Sequence, residues 1–267
     1  MLNVFEGLRR VGSVTPRQFH QYGYMMLDYV SVAAEHLGEN EWTIEDGGET
    51  FSFRFDDGAS LMYLHNAVSD GVIVHEKIPT SLFDLTYDFD VAFDIGAHYG
   101  IYTVLLGVLN PDLPIVSFEP NLRNAALLEA NIQANGLSAE VDTRVVSDSE
   151  DTVTFYNVST PGSNSHGTAP ADGLPTTPIT KRCTKLSEII KNRNASSAFV
   201  KIDAEGEELR ILDDLLPAVD SISGVVEVHP QLLECESGEV LSLLEKHGAS
   251  YDRLSHVEEA YWFTNID

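Results

Sequence analysis

The sequence predicts a doubly wound α/β protein on a mostly parallel β-sheet, preceded by an N-terminal extension of helix and β-hairpin. Two observations carry this. From Asp90 onward, short apolar runs of strand length alternate with longer helical stretches, the pattern of parallel strands joined by crossover helices. The chain also has 267 residues, 43% of them apolar, enough to bury a large core.

The elements follow in order. Pro16 to Leu37 reads as helix. Phe51-Ser52-Phe53-Arg54-Phe55 alternates as a strand does, and Asp57-Gly58 is a hairpin turn signal ahead of Ala59 to Leu64, so a hairpin is expected there. Residues 1–85 are expected to form a cap or a homodimer element, and residues 86–267 the main domain. In the latter, Val91 to Ile95 is a buried strand and Tyr99 to Leu109 a helix stopped by Asn110-Pro111. Ile115 to Phe118 is a strand, and Asn121 to Asn135 a helix ended by Gly136. Strands are expected at Val141–Val146, Thr152–Tyr156, Ala198–Ile202, Gly224–Val228, Tyr251–Leu254 and Ala260–Thr264, with helices at Glu205–Leu216 and Leu232–His247. The stretch Val158 to Thr177 lacks periodicity, and a loop of that length inside a compact domain points to function.

Charge narrows the partners. Lys and Arg total 16 and Asp and Glu 42, a formal net charge of −26. Nucleic-acid backbones and anionic membranes attract clustered cations, so neither is expected as a partner. The acids are scattered among apolar residues, which fits a high-salt cytoplasm, where repulsion is screened within about 3 Å. Cys183 and Cys235 have no C-x-x-C spacing, so no thiolate metal site or disulfide framework is expected. No apolar run reaches the length of a membrane span and no secretory signal is read.

In doubly wound sheets ligands bind beyond the carboxyl ends of the strands, and the residues there are distinctive. The first strand runs into Asp94-Ile95-Gly96-Ala97-His98-Tyr99-Gly100. Its glycines let backbone turn tightly and approach a ligand at a helix start. The spacing is neither that of dinucleotide binders nor that of a P-loop. Asp94 can accept from a ligand amine or a turn amide. The second strand ends in Glu119-Pro120-Asn121; an acid there suits a ribose diol, and Asn121 also suits a helix cap. Ser147-Asp148 follows the third strand, where Asp148 can accept from an adenine amino group or lie in a surface turn. Lys201-Ile202-Asp203-Ala204-Glu205 and Glu227-Val228-His229 end two later strands. Period-two alternation sends Glu227 and His229 to one side, so three carboxylates and an imidazole converge if the strands are neighbours. Helix capping by Asp203 and Glu205 is the plainer alternative.

Together these pieces resemble the class I S-adenosylmethionine-dependent methyltransferases, and more narrowly the FkbM-type family. The motifs are Phe93 to Thr103, Phe118 to Asn121, Val200-Lys201-Ile202-Asp203-Ala204-Glu205-Gly206-Glu207-Glu208 and Glu227-Val228-His229-Pro230, within about residues 90–235. His98 stands where the family more often has Asn. The resemblance implies a Rossmann-like seven-stranded sheet and S-adenosylmethionine as cofactor. It implies that Gly96, Ala97, His98 and Gly100, together with Tyr102 and Thr103, bind its methionine end near Asp94. Glu119, Pro120 and Asn121 would meet the ribose, Ser147 and Asp148 the adenine, and Asn164 and Ser165 would sit on a loop near substrate. The family's association with O-methylation makes a small-molecule or glycan hydroxyl the expected acceptor.

Methyl transfer to an alcohol needs positioning and a route for the hydroxyl proton. His229 is the candidate base, oriented by Glu227 or Asp203. Alternatively Mg²⁺ on Asp203, Glu205 or Glu227 acidifies the hydroxyl, with Lys201 balancing part of the negative charge. Two other readings are an N-methyltransferase on protein or nucleic acid and a cofactor-binding scaffold without catalysis.

Overall fold

Each of the five residues Val91–Ile95 is buried, as are all four of Ile115–Phe118 and all six of Ser197–Ile202. Strands this apolar and covered on both faces belong at the centre of a parallel sheet. The computed structural model shows that sheet, and it describes residues 40–56, 58–69, 72–73, 80–149, 151–158, 166–167, 176–230, 237–254 and 259–266. The expected helix at Pro16–Leu37 and the residues Asn164 and Ser165 lie outside them.

The strands are β1 (Glu41–Asp46), β2 (Glu49–Arg54), β3 (Val68–Ser69), β4 (Val72–Ile73), β5 (Val91–Ile95), β6 (Ile115–Phe118), β7 (Glu140–Asp142), β8 (Val145–Val146), β9 (Thr152–Val158), β10 (His166–Gly167), β11 (Thr176–Thr184), β12 (Ser197–Ile202), β13 (Ser221–Glu227), β14 (Ser250–Arg253) and β15 (Ala260–Thr264). The helices are α1 (Gly58–Asn66), α2 (Ile101–Leu109), α3 (Leu122–Ala134), α4 (Leu186–Arg193), α5 (Glu208–Leu215) and α6 (Ser237–Lys246). The main sheet has seven strands in the order β14-β15-β13-β12-β5-β6-β7. Neighbours from β13 to β7 pair in parallel, and β15 runs against both β13 and β14. The chain winds outward from β5 to β7 and then restarts at β12 in the other direction. The reversal between β5 and β12 opens a crevice at their carboxyl ends.

Alternate residues of β5 feed the two faces. Val91, Phe93 and Ile95 share a core with α4, α5 and α6 through Ile190, Leu212 and Leu244. Ala92 joins the opposite core, with Val104 and Leu105 of α2 and with Ile44, Phe51 and Phe53 of the β1–β2 hairpin. Residues 41–267 are one compact unit, and its core runs through position 85 without interruption.

Several elements depart from the sequence reading. The hairpin turns at Gly47 and Gly48, both with positive φ, as a tight two-residue hairpin turn requires. Ala59 to Leu64 is not its second strand but part of α1. Asp56 ahead of that helix accepts a hydrogen bond from the Ser60 hydroxyl at 3.1 Å, so the Asp-Gly signal marks a helix start. The strand expected over Val141–Val146 is split. β7 closes the main sheet, whereas β8 leaves it to pair with β11. That smaller sheet, ordered β10-β9-β11-β8, and helix α4 were not anticipated.

Candidate active site

Two backbone turns meet at the switch point. The first follows β5, where the amides of Gly96 and Ala97 both donate to the Phe118 carbonyl at 3.0 Å. The second follows β12, where the Asp203 amide donates to the Ile95 carbonyl at 3.1 Å. A Cβ on Gly96 would lie 1.8 Å from the Asp203 carbonyl oxygen, and Gly96 has a φ of +73°. Glycine is required here on both counts. The close approach is between the two turns of the protein itself, so the two halves of the site are fixed to one another.

On the β5–β6 side, Asp94 is fully buried and its Oδ2 accepts from the Thr103 hydroxyl at 2.6 Å. Burial raises its pKa, against the pull of Lys201, which faces it in register on β12. Its Oδ1 is buried without a hydrogen-bond partner among the described residues. Glu119, only 4% exposed, takes the His98 amide on Oε2 at 2.8 Å and the Asn121 amide on Oε1 at 2.7 Å. Burial pushes this carboxyl up to about 7; the two amides oppose the shift, and Asp94 and Asp203 add to it. His98 has a φ of +52° and its ring lies 4.3 Å from that of Tyr63.

Three residues expected at the cofactor are engaged within the protein itself. Thr103 is buried, bonded to Asp94 and, at 2.7 Å, to Ser117. Tyr102 is buried against Phe83 and lies under the Lys201 ammonium at 4.9 Å. Asn121 caps α3, its side chain accepting from the amides of Arg123 and Asn124. The inward face of α2 and the start of α3 dictate these positions. Pro120 is partly buried. Because β8 leaves the main sheet, the tip of the third strand is Asp142, whose carbonyl accepts from the Glu119 amide at 3.0 Å. Ser147 and Asp148 follow β8 instead. The Ser147 hydroxyl donates to Glu207 at 2.6 Å, and Asp148 is exposed, lining an open groove with Lys185, Ser187 and Asp214.

On the β12–β13 side, Asp203, Glu205 and His229 offer donor atoms that all lie within 4.8 Å of one another. Lys201, 2% exposed, holds Asp203 Oδ2 at 3.0 Å. Asp203 and Glu205 do not cap α5, whose N-cap position is Glu207. His229 Nε2 stands 3.6 Å from Asp203 Oδ1 and 3.6 Å from Glu227 Oε1, beyond hydrogen-bond length. The group that orients the imidazole is therefore neither of the two expected. It is Glu208, fully buried in the first turn of α5, whose Oε1 lies 2.7 Å from Nδ1. Glu208 also accepts from the Gly206 amide. Burial works against charge on His229, but the bond to Glu208 and the fields of Asp203, Glu208 and Glu205 outweigh it and raise the pKa to about 9. No role is expected of Glu208 from the sequence; it is the first residue of α5, and its meeting with His229 follows only from the packing of that helix against the tip of β13.

Residues 94–251 match the Methyltransferase FkbM domain, which takes in both turns and every strand tip just described. The chain belongs to the FkbM methyltransferase family. A curated relative, the 31-O-demethyl-FK506 methyltransferase FkbM of Streptomyces tacrolimicus, is 30% identical over 191 residues, covering 60% of this chain and 72% of its own. Solved structures of lower likeness include a tRNA (uracil-54, C5)-methyltransferase of Pyrococcus abyssi in complex with S-adenosyl-L-homocysteine, with a TM-score of 0.43 and 10% identity over 85% of this chain and 44% of that one. Another is a methyltransferase of Pyrococcus furiosus, with a TM-score of 0.41 and 10% identity over 93% and 100%. This FkbM-family protein is an S-adenosylmethionine-dependent methyltransferase, and its crevice suits that cofactor. The buried Asp94 Oδ1 is a ready acceptor for an ammonium, and each Glu119 oxygen keeps a lone pair beyond its amide bond. Among the described residues no helix is long and apolar enough to cross a membrane.

Proposed function

We propose that this enzyme methylates a hydroxyl group, most simply that of a sugar in a glycan, glycolipid or specialised metabolite. The observation that carries this reading is the polar corner formed by Asp203, Glu205, Glu227 and His229, joined to the cofactor turn by the Gly96–Asp203 backbone contact. The relative from Streptomyces tacrolimicus bears an O-methyltransferase name, which supports the same acceptor chemistry. A net charge of −26 favours a small molecule or glycan over a nucleic acid.

Asp94 would receive the cofactor's amine, Glu119 its ribose hydroxyls, and the turn from Gly96 to Gly100 its methionine end. S-adenosylmethionine supplies a methyl group on a sulfonium, whose departure leaves a neutral thioether. The acceptor oxygen forms an O–C bond as the S–C bond breaks, and its proton must leave. His229 is poorly suited to take that proton, because an imidazole with a pKa near 9 is already protonated at neutral pH. The acceptor for the proton is a neighbouring carboxylate, Asp203 or Glu227, with the imidazolium fixing their positions and charge. On this reading His229 positions the carboxylates and is not itself the base.

The test is methyl transfer from labelled S-adenosylmethionine, in molar KCl, to fractionated carbohydrates, glycolipids, proteins and RNA. Label in a carbohydrate or glycolipid fraction supports the reading. Label in protein or RNA replaces the acceptor class, and S-adenosylhomocysteine binding with no labelled product favours a scaffold.

A further inference from the structure

The corner holds more than a patch of acids. Of the carboxylates around the crevice, Glu119 is bound to two amides, Glu207 to Ser147 and Arg210, and Glu208 to His229 and Gly206. Asp203 is held on Oδ2 by Lys201, and both it and Glu205 bring an oxygen to within 4.8 Å of an imidazole nitrogen. Asp203 and Glu205 come from the turn between β12 and α5 and His229 from just beyond β13, so the fold gathers the three from two segments. We propose that Asp203, Glu205 and His229 bind one divalent cation of the magnesium or manganese class.

Two features of the geometry argue for an ion. The first is spacing. His229 Nε2 and Asp203 Oδ1 are 3.6 Å apart, too far for a hydrogen bond. Bonds of about 2.1 Å to a shared cation put adjacent ligand atoms about 3 Å apart, so an ion held by both would draw this pair together by about half an ångström. The second is support from behind. A ligating histidine commonly gives its other nitrogen to a carboxylate that fixes ring and tautomer, and the fully buried Glu208 holds Nδ1 in that way, turning Nε2 toward Asp203. Bound, the cation takes the place of the proton on His229 Nε2, since only the neutral imidazole has a lone pair to give; an imidazole with two carboxylates is then a mainly hard donor set, and three protein ligands leave coordination positions for a hydroxyl oxygen and water. The cation's role, holding and acidifying the acceptor hydroxyl, rests on the O-methylation reading. Its binding does not.

The experiment titrates the chelator-treated full-length protein with Mn²⁺ alone, following free Mn²⁺ by electron paramagnetic resonance, with and without S-adenosylhomocysteine. One Mn²⁺ per chain is expected. Asp203→Asn, Glu205→Gln and His229→Gln should each weaken binding by at least about tenfold. Asp252→Asn, on edge strand β14, should leave it unchanged, which separates the site from a general attraction to an acidic surface. Thermal melting and S-adenosylhomocysteine affinity establish that each variant is folded. If wild-type protein takes up no stoichiometric Mn²⁺ at millimolar concentration, or if folded His229→Gln binds it as wild type does, the proposal is overturned. It is equally overturned if Glu227→Gln abolishes binding while Glu205→Gln spares it. Mn²⁺ binding in a protein that methylates no hydroxyl would leave the site standing and remove the function, and the converse result would do the reverse.

Discussion

The two sides of the crevice use the same kind of residue, an acid at a strand tip, and hold it in different ways. On the β5–β6 side, Asp94 and Glu119 are buried, with Asp94 Oδ2 fixed by a hydroxyl and both Glu119 oxygens by backbone amides. On the β12–β13 side, Asp203 and His229 keep 22% and 14% of their side-chain surface exposed and stand apart at 3.6 Å. On the proposed reading, the first side is preorganised for the cofactor, which is always the same, and the second leaves room between its groups for chemistry and for a changing acceptor. Rigid binding and reactive contact would then be divided between two halves of one sheet, joined at Gly96.

Breaking the joint should have the largest effect. Gly96→Ala places a Cβ against the Asp203 carbonyl at a positive φ, so S-adenosylhomocysteine affinity should fall by more than about 100-fold, read by calorimetry. A variant that binds normally would show that the two turns can separate. Next, His229→Ala should lower methyl transfer by about 100-fold while cofactor affinity stays within about twofold, which tests the division directly. Equal losses in both would mean that the two sides are not independent.

Glu119→Gln should do the opposite, weakening cofactor affinity by about tenfold. Its carboxyl has a pKa near 7, so in wild-type protein affinity should weaken as pH falls through 7 and the ribose hydroxyls lose an ionised acceptor. The Gln variant should bind with little pH dependence. The smallest effect concerns stability in chelator. The folded pKa of His229, about 9, is above its ordinary 6.5, so the stabilisation its proton brings is complete below about 6.5 and is lost as pH rises through 9. Denaturation midpoints should decline over that interval, and less steeply in Glu208→Gln.

What could be read from the sequence followed the strength of local signals. Ile115–Phe118 and Ala260–Thr264 were placed to the residue, because apolar runs ended by Glu119-Pro120 or begun after charged residues have few alternatives. Asp57-Gly58 misled because the same pair serves a hairpin and a helix start, and the true turn, Gly47-Gly48, carries the same left-handed preference. Val141–Val146 read as one strand because nothing local says that its halves pair with different partners, β6 and β11. The strand-tip acids were visible for a similar reason: charge at the end of an apolar run is rare. Which of them touch was not visible. Thr103 sits inward by helix phase, and Glu208 meets His229 only because α5 packs against the tip of β13.

The hairpin has a consequence for anyone shortening this chain. Asn131 on α3 accepts from the Arg54 amide and donates to the Tyr99 carbonyl, within the cofactor turn. Asn135 clamps Ser52, two residues earlier on β2, accepting from its amide at 2.8 Å and donating to its carbonyl at 2.7 Å. A truncation that begins at β5 would keep every residue that faces the crevice. It would nonetheless strip the outer layer from α2 and α3 and leave Asn131 holding the turn from one side only. A cofactor-binding fragment therefore has to keep the hairpin that starts at Glu41, well ahead of the first strand that touches the crevice.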